Sequence, residues 1–220
     1  IGVKSDLQSS LDNGLYQIRM YSGTHHNQIG TANSGNVIGT ATQAIIVVDD
    51  SPNNSIQGNY IGTDATQTAD LGINDVAVVI DGSPSNNNRV GGTGTGEGNV
   101  IANSLFGIST FNGGYGNSFL SNTFPNIEEM AIDLKSDGVT NNDNLDPDPS
   151  SGAPNNYLQN FPEMLDADSV AGGVRICAEL NSNINENFIV QIYKSVSNTT
   201  STFGAGEELI GSMNVTTASN

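Results

Sequence analysis

The sequence predicts an all-β fold in two parts, a parallel β-solenoid followed by a smaller antiparallel β module. One observation is a repeat that recurs along the first part of the chain. Another is that the apolar residues inside each repeat lie two apart, which is the spacing of strands and not of helices. The third is composition: 30 Asn and 26 Gly among 220 residues favour turns, and a charged fraction of 13% is low for a helical protein.

The charge balance excludes one class of function and disfavours another. Lys and Arg together number 6 against 23 Asp and Glu, which gives a formal net charge of -17. So few cations cannot neutralise a run of phosphates, which excludes a nucleic-acid binder. The same balance disfavours docking on an anionic membrane surface, and no apolar run approaches the length of a transmembrane segment.

The repeat consists of alternating apolar positions, an Asn about ten residues from the start and a further apolar residue. Successive copies begin 24 to 33 residues apart, and a fifth start is interrupted. The four copies and the fifth start are Gln17, Ile18, Met20, Asn27, Ile29; Ala44, Ile45, Val47, Asn54, Ile56; Ala77, Val78, Ile80, Asn88, Val90; Gly107, Ile108, Thr110, Asn117, Phe119; and Ala131, Ile132, Leu134.

A second Asn follows in every complete copy and precedes another short apolar pair. Asn tolerates the left-handed backbone conformation of tight corners, and stacked Asn amides hydrogen-bond to one another along a solenoid axis. We therefore expect the Asn side chains to line up at corners of successive turns. The second markers are Asn36-Val37-Ile38, Asn59-Tyr60-Ile61, Asn99-Val100-Ile101 and Asn122-Thr123-Phe124.

Each copy, with its three short strands, is long enough for one turn of a parallel β-helix. Turns would stack about 4.8 Å apart, and the inward side chains of successive turns would line one continuous core. The sequence therefore predicts a β-helix over residues 1–136. The chain opens without Met and without a signal peptide, so we expect it to be a fragment of a longer protein.

Several motifs resemble those of bacterial right-handed parallel β-helix repeat proteins of the secreted or cell-surface type. The resemblance implies a right-handed winding and a secreted or surface location. It also implies that the helix leads into an immunoglobulin-like module. The motifs are 59–64, 69–72, 90–93 and 96–101 for the helix, and 132–134, 137–140, 154–156 and 158–162 for its exit.

The region after the repeat divides into an acidic linker, 137–156, and an immunoglobulin-like β module, 157–220. Alternating residues predict strands over Val174–Leu180, Phe188–Ile192 and Glu208–Val215. Three or four strands are too few for a sandwich of about seven, so the module is predicted to be truncated. Its open edge is then expected to accept a strand from a neighbouring chain.

Three carboxylates are weak candidates for catalysis. Asp49 and Asp50 follow the strand of the second copy, and Asp81 follows that of the third. Adjacent turns would bring them within roughly 5–10 Å, a separation that suits acid–base cleavage of a glycosidic bond. The alternative, which the lack of an accompanying catalytic His or cationic motif favours, is that they are solvated turn carboxylates.

The linker offers hard oxygen ligands, which Ca²⁺ prefers. No cofactor is required by the sequence, but calcium is a candidate, with a plain solvated linker as the alternative. The spacing lacks the closing Glu and the Gly of an EF-hand loop. The candidate ligands are Asp137, Asp143, Asn144, Asp146 and Asp148.

Two further features are assigned non-catalytic roles. A transition-metal site at His25-His26 is disfavoured, because adjacent residues of an extended strand point to opposite faces. Cys177 is the only cysteine, so no internal disulfide exists, and its alternating strand predicts a small core residue.

These observations predict an extracellular structural or adhesive segment rather than an enzyme. A rigid stack with exposed ends is suited to self-association into a filament or layer, with other copies or other surface proteins as partners. The alternative is a carbohydrate-binding or polysaccharide-degrading β-helix protein. The absence of Trp, which would form a sugar-stacking platform, favours the structural function.

Overall fold

The computed structural model describes residues 1–7, 9, 11, 13–147, 155–195 and 205–218. The fold is all-β, and its first part consists of three parallel sheets. Each sheet takes one strand from successive copies of the repeat, as the alternating apolar residues predict. We call these three sheets the parallel stack.

The strands of the parallel stack are short and follow one another in a fixed order. Sheet I contains the long strands, whereas sheets II and III contain strands of two or three residues. Sheet I is formed by β1 (Tyr16–Met20), β4 (Gln43–Val47), β7 (Ile73–Asp81), β10 (Ser104–Phe111) and β12 (Ile127–Leu134); sheet II by β2 (Gln28–Ile29), β5 (Ser55–Ile56), β8 (Arg89–Gly91) and β11 (Ser118–Leu120); and sheet III by β3 (Val37–Ile38), β6 (Tyr60–Ile61) and β9 (Val100–Ile101).

The register of sheet I confirms the alignment of the repeat. Ile18 pairs with Ile45, Ile45 with Val78, Val78 with Ile108, and Ile108 with Ile132. Because side chains alternate along a strand, this register puts the equivalent apolar residues of all five copies on the same face. The fifth start is therefore a strand of the same sheet.

The core of the parallel stack is a single cluster of aliphatic side chains drawn from all three sheets. Ile45, Val78 and Ile108 from sheet I are fully buried. Ile56 and Val90 contribute from sheet II, which is paired in the predicted register. Burying a side chain of this size contributes about 1.5–3 kcal/mol relative to leaving it exposed, so this interior is a main source of stability.

A ladder of Asn side chains joins the corners that precede sheet II. The Oδ1 atom of Asn54 accepts from the backbone N of Asn27 at 3.0 Å and from its Nδ2 at 2.9 Å. Asn54 donates in the same way to Asn88, and the backbone N of Asn88 donates to Asn117 Oδ1 at 2.8 Å. The expected stacking of Asn amides is confirmed.

A second Asn ladder joins the corners that precede sheet III. It runs from Asn36 through Asn59 and Asn99 to Asn122, and each step has both a backbone and a side-chain donor. The last three of these residues are almost completely buried. Asn59, Asn99 and Asn122 each accept from the backbone N–H of a corner, which the pairing of the parallel strands leaves without a partner.

A glycine is required at one corner for two reasons. Gly62 has a φ of 76°, in the left-handed region that side chains rarely adopt. A Cβ atom there would lie 1.9 Å from the carbonyl oxygen of Ala102 on the next turn. Neighbouring copies of the repeat are therefore packed too closely for any other residue at this position.

The second part of the chain forms two antiparallel hairpins. β13 (Glu163–Val170) pairs with β14 (Gly173–Glu179), and β15 (Asn187–Lys194) pairs with β16 (Glu208–Thr216). Sequence patterning predicted the last three strands but missed β13. The hairpins are separate two-stranded sheets, each with unpaired edges among the described residues.

Candidate functional site

The C-terminal end of the parallel stack is covered by the end of the predicted linker. The turn Asn155–Leu158 has positive φ at all four residues. The Oδ1 atom of Asn156 accepts from the backbone N of Asn117 at 2.9 Å, so this residue extends the first Asn ladder by one step. The ring of Tyr157 stacks on that of Tyr115, with centroids 5.6 Å apart.

The second hairpin also contacts this end. Gln191 accepts from the backbone N of Ser121 at 2.8 Å and donates to its hydroxyl at 2.9 Å. The carbonyl of Gly206 accepts from the backbone N of Phe124, and Ala205 joins the hydrophobic core. The end that we expected to be exposed is therefore covered, which gives the stack the terminal cap that repeat proteins need.

Beyond this cap, the apolar sides of the two hairpins line an open cleft of about 430 Å³. The register places Met164, Ala178 and Ile176 on one face of the first hairpin. In the second hairpin Val190 pairs with Met213 on the facing side. The full lining of the cleft is Pro162, Met164, Ile176, Cys177, Ala178, Glu179, Leu180, Val190, Gln191, Ile192, Tyr193, Met213 and Val215.

The cleft is unusual because its apolar side chains remain in contact with solvent. Met164 is 62% exposed and Met213 is 55% exposed, and Val174 on the same face as Ile176 is 62% exposed. The prediction that Cys177 is a core residue is wrong, since the thiol is exposed. The reason is that a two-stranded sheet buries neither of its faces unless another layer covers it.

The catalytic candidates lie at the ends of two neighbouring strands of sheet I, with Asp81 as the last residue of β7 and not after it. Asp49 and Asp50 follow β4 with positive φ, and a Cβ atom on Gly82 would lie 3.3 Å from Asp49 Oδ1. Burial raises the pKa of Asp81, a hydrogen bond from the Gly82 backbone opposes this, and the negative charge of Asp49 raises it further. Asp49 and Asp81 are therefore close enough for their charges to interact.

The calcium candidates do not form one cluster among the described residues. Asp137 pairs with Lys135 at 2.8 Å, and Asp146 is buried, where it accepts from the Ser182 hydroxyl at 2.5 Å. Asp148 lies outside the described residues. No group of three or more His, Cys, Asp or Glu side chains in the described ranges is arranged to hold a metal ion.

Two of the calcium candidates do lie beside acidic residues that the sequence analysis missed. Asp143 and Asn144 line a polar cleft of about 320 Å³ together with Glu163 and Glu179. The two glutamates are directly opposite one another in the first hairpin, an unfavourable pairing of like charges. Only the pairing of β13 with β14 brings them together, and β13 was not predicted.

The histidine pair lies in the turn between β1 and β2, and the expectation that its rings point apart is wrong. The Nδ1 atoms of His25 and His26 are 2.7 Å apart. The reason is that His26 has a φ of 57°, so the backbone turns at this point instead of continuing as an extended strand.

Two buried polar atoms on the outer face of sheet I lack a hydrogen-bond partner among the described residues. Ser109 pairs in register with Asp133, and both are almost completely buried. Ser109 Oγ and Asp133 Oδ1 have no hydrogen-bond partner, whereas Asp133 Oδ2 accepts from Gly138 N at 3.2 Å. Burial raises the pKa of the Asp133 carboxyl, and the neighbouring charge of Asp137 adds to the effect.

Comparison with known proteins adds no relative. No protein-family model matches the sequence, and no curated protein or solved structure matches it either. In the part of the chain that the structure describes, no helix has the length and apolar character needed to cross a membrane.

Proposed function

We propose that the chain is a structural segment of a secreted or cell-surface protein that associates with further copies of itself through its C-terminal module. The observation that carries the proposal is the open apolar cleft between the two hairpins. Three of the side chains that line it or flank it, Met164, Val174 and Met213, are more than half exposed.

The proposal includes the architecture that the sequence predicts, a right-handed parallel β-helix joined to an incomplete immunoglobulin-like module. The strand order of the three parallel sheets and the two Asn ladders support the winding. Crossovers between parallel strands are right-handed in nearly all proteins, which supports the hand. The antiparallel pairing of both hairpins supports the module.

The exposed apolar faces of the two hairpins favour association between copies of the chain. An isolated two-stranded sheet is marginally stable in water, so each hairpin gains from a further strand or layer. Burying the exposed parts of Met164, Val174 and Met213 would contribute about 3–5 kcal/mol. A second copy supplies the same faces and the same unpaired strand edges, which favours self-complementary pairing.

Sedimentation velocity of the full chain over a wide concentration range tests the proposal. We expect the sedimentation coefficient to rise with concentration, and Val174→Thr to shift that rise to higher concentration by at least tenfold. Val139→Thr makes the same chemical change at a residue that is 38% exposed and belongs to neither hairpin, and it should leave association unchanged. A wild-type chain that stays monomeric throughout would contradict the proposal.

A polysaccharide hydrolase is the second candidate, because Asp49 and Asp81 interact and the pKa of Asp81 is raised. Hydrolysis of a glycosidic bond needs two carboxyl groups that flank the bond, one as general acid and the other as base or nucleophile. Incubation with a panel of neutral polysaccharides should then release reducing ends, and Asp81→Asn should abolish the release. Equal release by the variant and the wild type would end this candidate.

A further inference from the structure

The sequence contains only two histidines, and they are adjacent. Their rings are nearly perpendicular, at 87°, with centroids 5.0 Å apart. Both side chains are exposed to solvent, and their Nδ1 atoms face each other at 2.7 Å. A contact this short needs a proton on one Nδ1 and a lone pair on the other, because two lone pairs or two N–H groups would repel.

We propose that the Nδ1 atoms of His25 and His26 chelate a divalent transition-metal ion, with Cu²⁺ preferred. Imidazole nitrogen is a ligand for copper, nickel and zinc. If the donating ring moves its proton to Nε2, both Nδ1 lone pairs become available at the same place. The two exposed rings must then rotate so that both lone pairs point at one ion instead of at each other.

The two nitrogens would occupy neighbouring positions on the metal ion. Two neighbouring ligands of a square-planar ion, each about 2.0 Å from the metal, are about 2.8 Å apart. Two ligands of a tetrahedral zinc ion at the same distance are about 3.3 Å apart. The 2.7 Å contact is set by the hydrogen bond between the rings, so the nitrogens would separate slightly when an ion replaces the shared proton. Cu²⁺ is preferred because it is the tightest-binding ion of its series.

The surroundings leave the other coordination positions to water. No third His, Cys, Asp or Glu joins the pair within the described ranges. The backbone carbonyl of Asp49 accepts a hydrogen bond from the Gly23 backbone N at 3.3 Å, so the segment with Asp49 and Asp50 adjoins the histidine turn. A net charge of -17 attracts cations to the whole surface.

Calorimetric titration with CuCl₂ tests the site. The full chain should carry Cys177→Ser, because an exposed thiol also binds copper. We expect one tight Cu²⁺ per chain, at least tenfold tighter binding of Cu²⁺ than of Zn²⁺, and weaker binding on acidification as protons compete for the imidazoles. His25→Gln and His26→Asn should each weaken Cu²⁺ binding at least tenfold, and Asn at 26 accepts the positive φ.

Asp50→Asn is the matched control, since it removes a neighbouring charge and leaves both imidazoles. We expect it to change the affinity by less than threefold, and electron paramagnetic resonance of the Cu²⁺ complex should show coupling to two nitrogens. Coupling to one nitrogen would overturn the proposal. So would tighter binding of zinc, an affinity unaffected by both histidine substitutions, or a loss with Asp50→Asn as large as theirs.

Discussion

Asn99→Ala removes the central residue of the second Asn ladder and should be severely destabilising. The Oδ1 atom accepts from the backbone N and the Nδ2 of Asn59, at 2.9 and 3.0 Å. The Nδ2 atom donates to the Ile56 carbonyl at 2.9 Å and to Asn122 Oδ1 at 2.8 Å. The side chain therefore makes four hydrogen bonds in a fully buried position.

The expected loss of stability follows from the hydrogen bonds that the partners of Asn99 keep after the substitution. Asn59 Nδ2 still donates to the Ile29 carbonyl, and Asn122 Oδ1 still accepts from the Asn99 backbone. The backbone N–H of Asn59 loses its partner inside the protein, which costs about 1–3 kcal/mol. The hydrogen bonds that remain in the ladder are also weakened. Together, these losses should lower the free energy of unfolding by about 3 kcal/mol.

Asn27→Ala is the matched control at the open end of the first ladder. Asn27 is exposed, and its side chain contributes one ladder bond, of 2.9 Å to Asn54 Oδ1. Its loss should cost about 0.5 kcal/mol. Urea denaturation followed by circular dichroism should show a midpoint decrease of about 1–2 M for Asn99→Ala and a much smaller one for Asn27→Ala. Equal decreases would refute the reasoning that burial of the ladder determines its contribution.

Three further changes have expected outcomes. Gly62→Ala should lower the urea midpoint much more than Gly138→Ala, because both have positive φ but only the former meets backbone on the next turn. Asp133→Asn should stabilise the chain by about 1–2 kcal/mol near neutral pH, since it removes a buried carboxylate that lacks a full set of hydrogen-bond partners. Because folding raises the pKa of Asp133, the cost of the buried charge is present above the folded pKa and disappears on acidification. A stabilisation by Asp133→Asn that persists at acidic pH would contradict this reasoning. Millimolar Ca²⁺ should raise the melting temperature measured by scanning calorimetry by relieving the repulsion between Glu163 and Glu179, and Glu163→Gln should remove the rise; an unchanged wild-type melting temperature would contradict the expectation that the linker binds calcium.

Much of the parallel stack was predictable because its determinants are local and periodic. Ile18, Ile45 and Val78 recur at equivalent positions, and pairing them buries every inward side chain at once. A one-residue shift would turn all of them outward, so the register has no competitor of similar stability. The Asn corners were predictable for a related reason, since their spacing follows that of the strands.

The cap could not be predicted because it depends on contacts between distant segments. Asn156 takes a ladder position 39 residues after Asn117, and no alternating pattern marks the turn around it. The exposure of Cys177 was missed for a similar reason. Alternation identifies the two faces of a strand, but burial requires a second layer that the sequence pattern does not specify.

The candidate sites also differ in whether a sequence pattern could predict them. The proximity of Asp49 and Asp81 was predictable because both residues lie at the ends of strands that pair in register. The contact between His25 and His26 was not, since it depends on the positive φ of one residue. His is one of the residue types enriched in that conformation, so the signal was present but weak.

The stacking of successive turns is the central claim, and a crystal structure of the chain tests it most directly. We predict parallel strands about 4.8 Å apart, in which Ile45 lies between Ile18 and Val78. We also predict two continuous rows of hydrogen-bonded Asn side chains at the corners. Antiparallel pairing of these strands, or Asn side chains turned out into solvent, would contradict it.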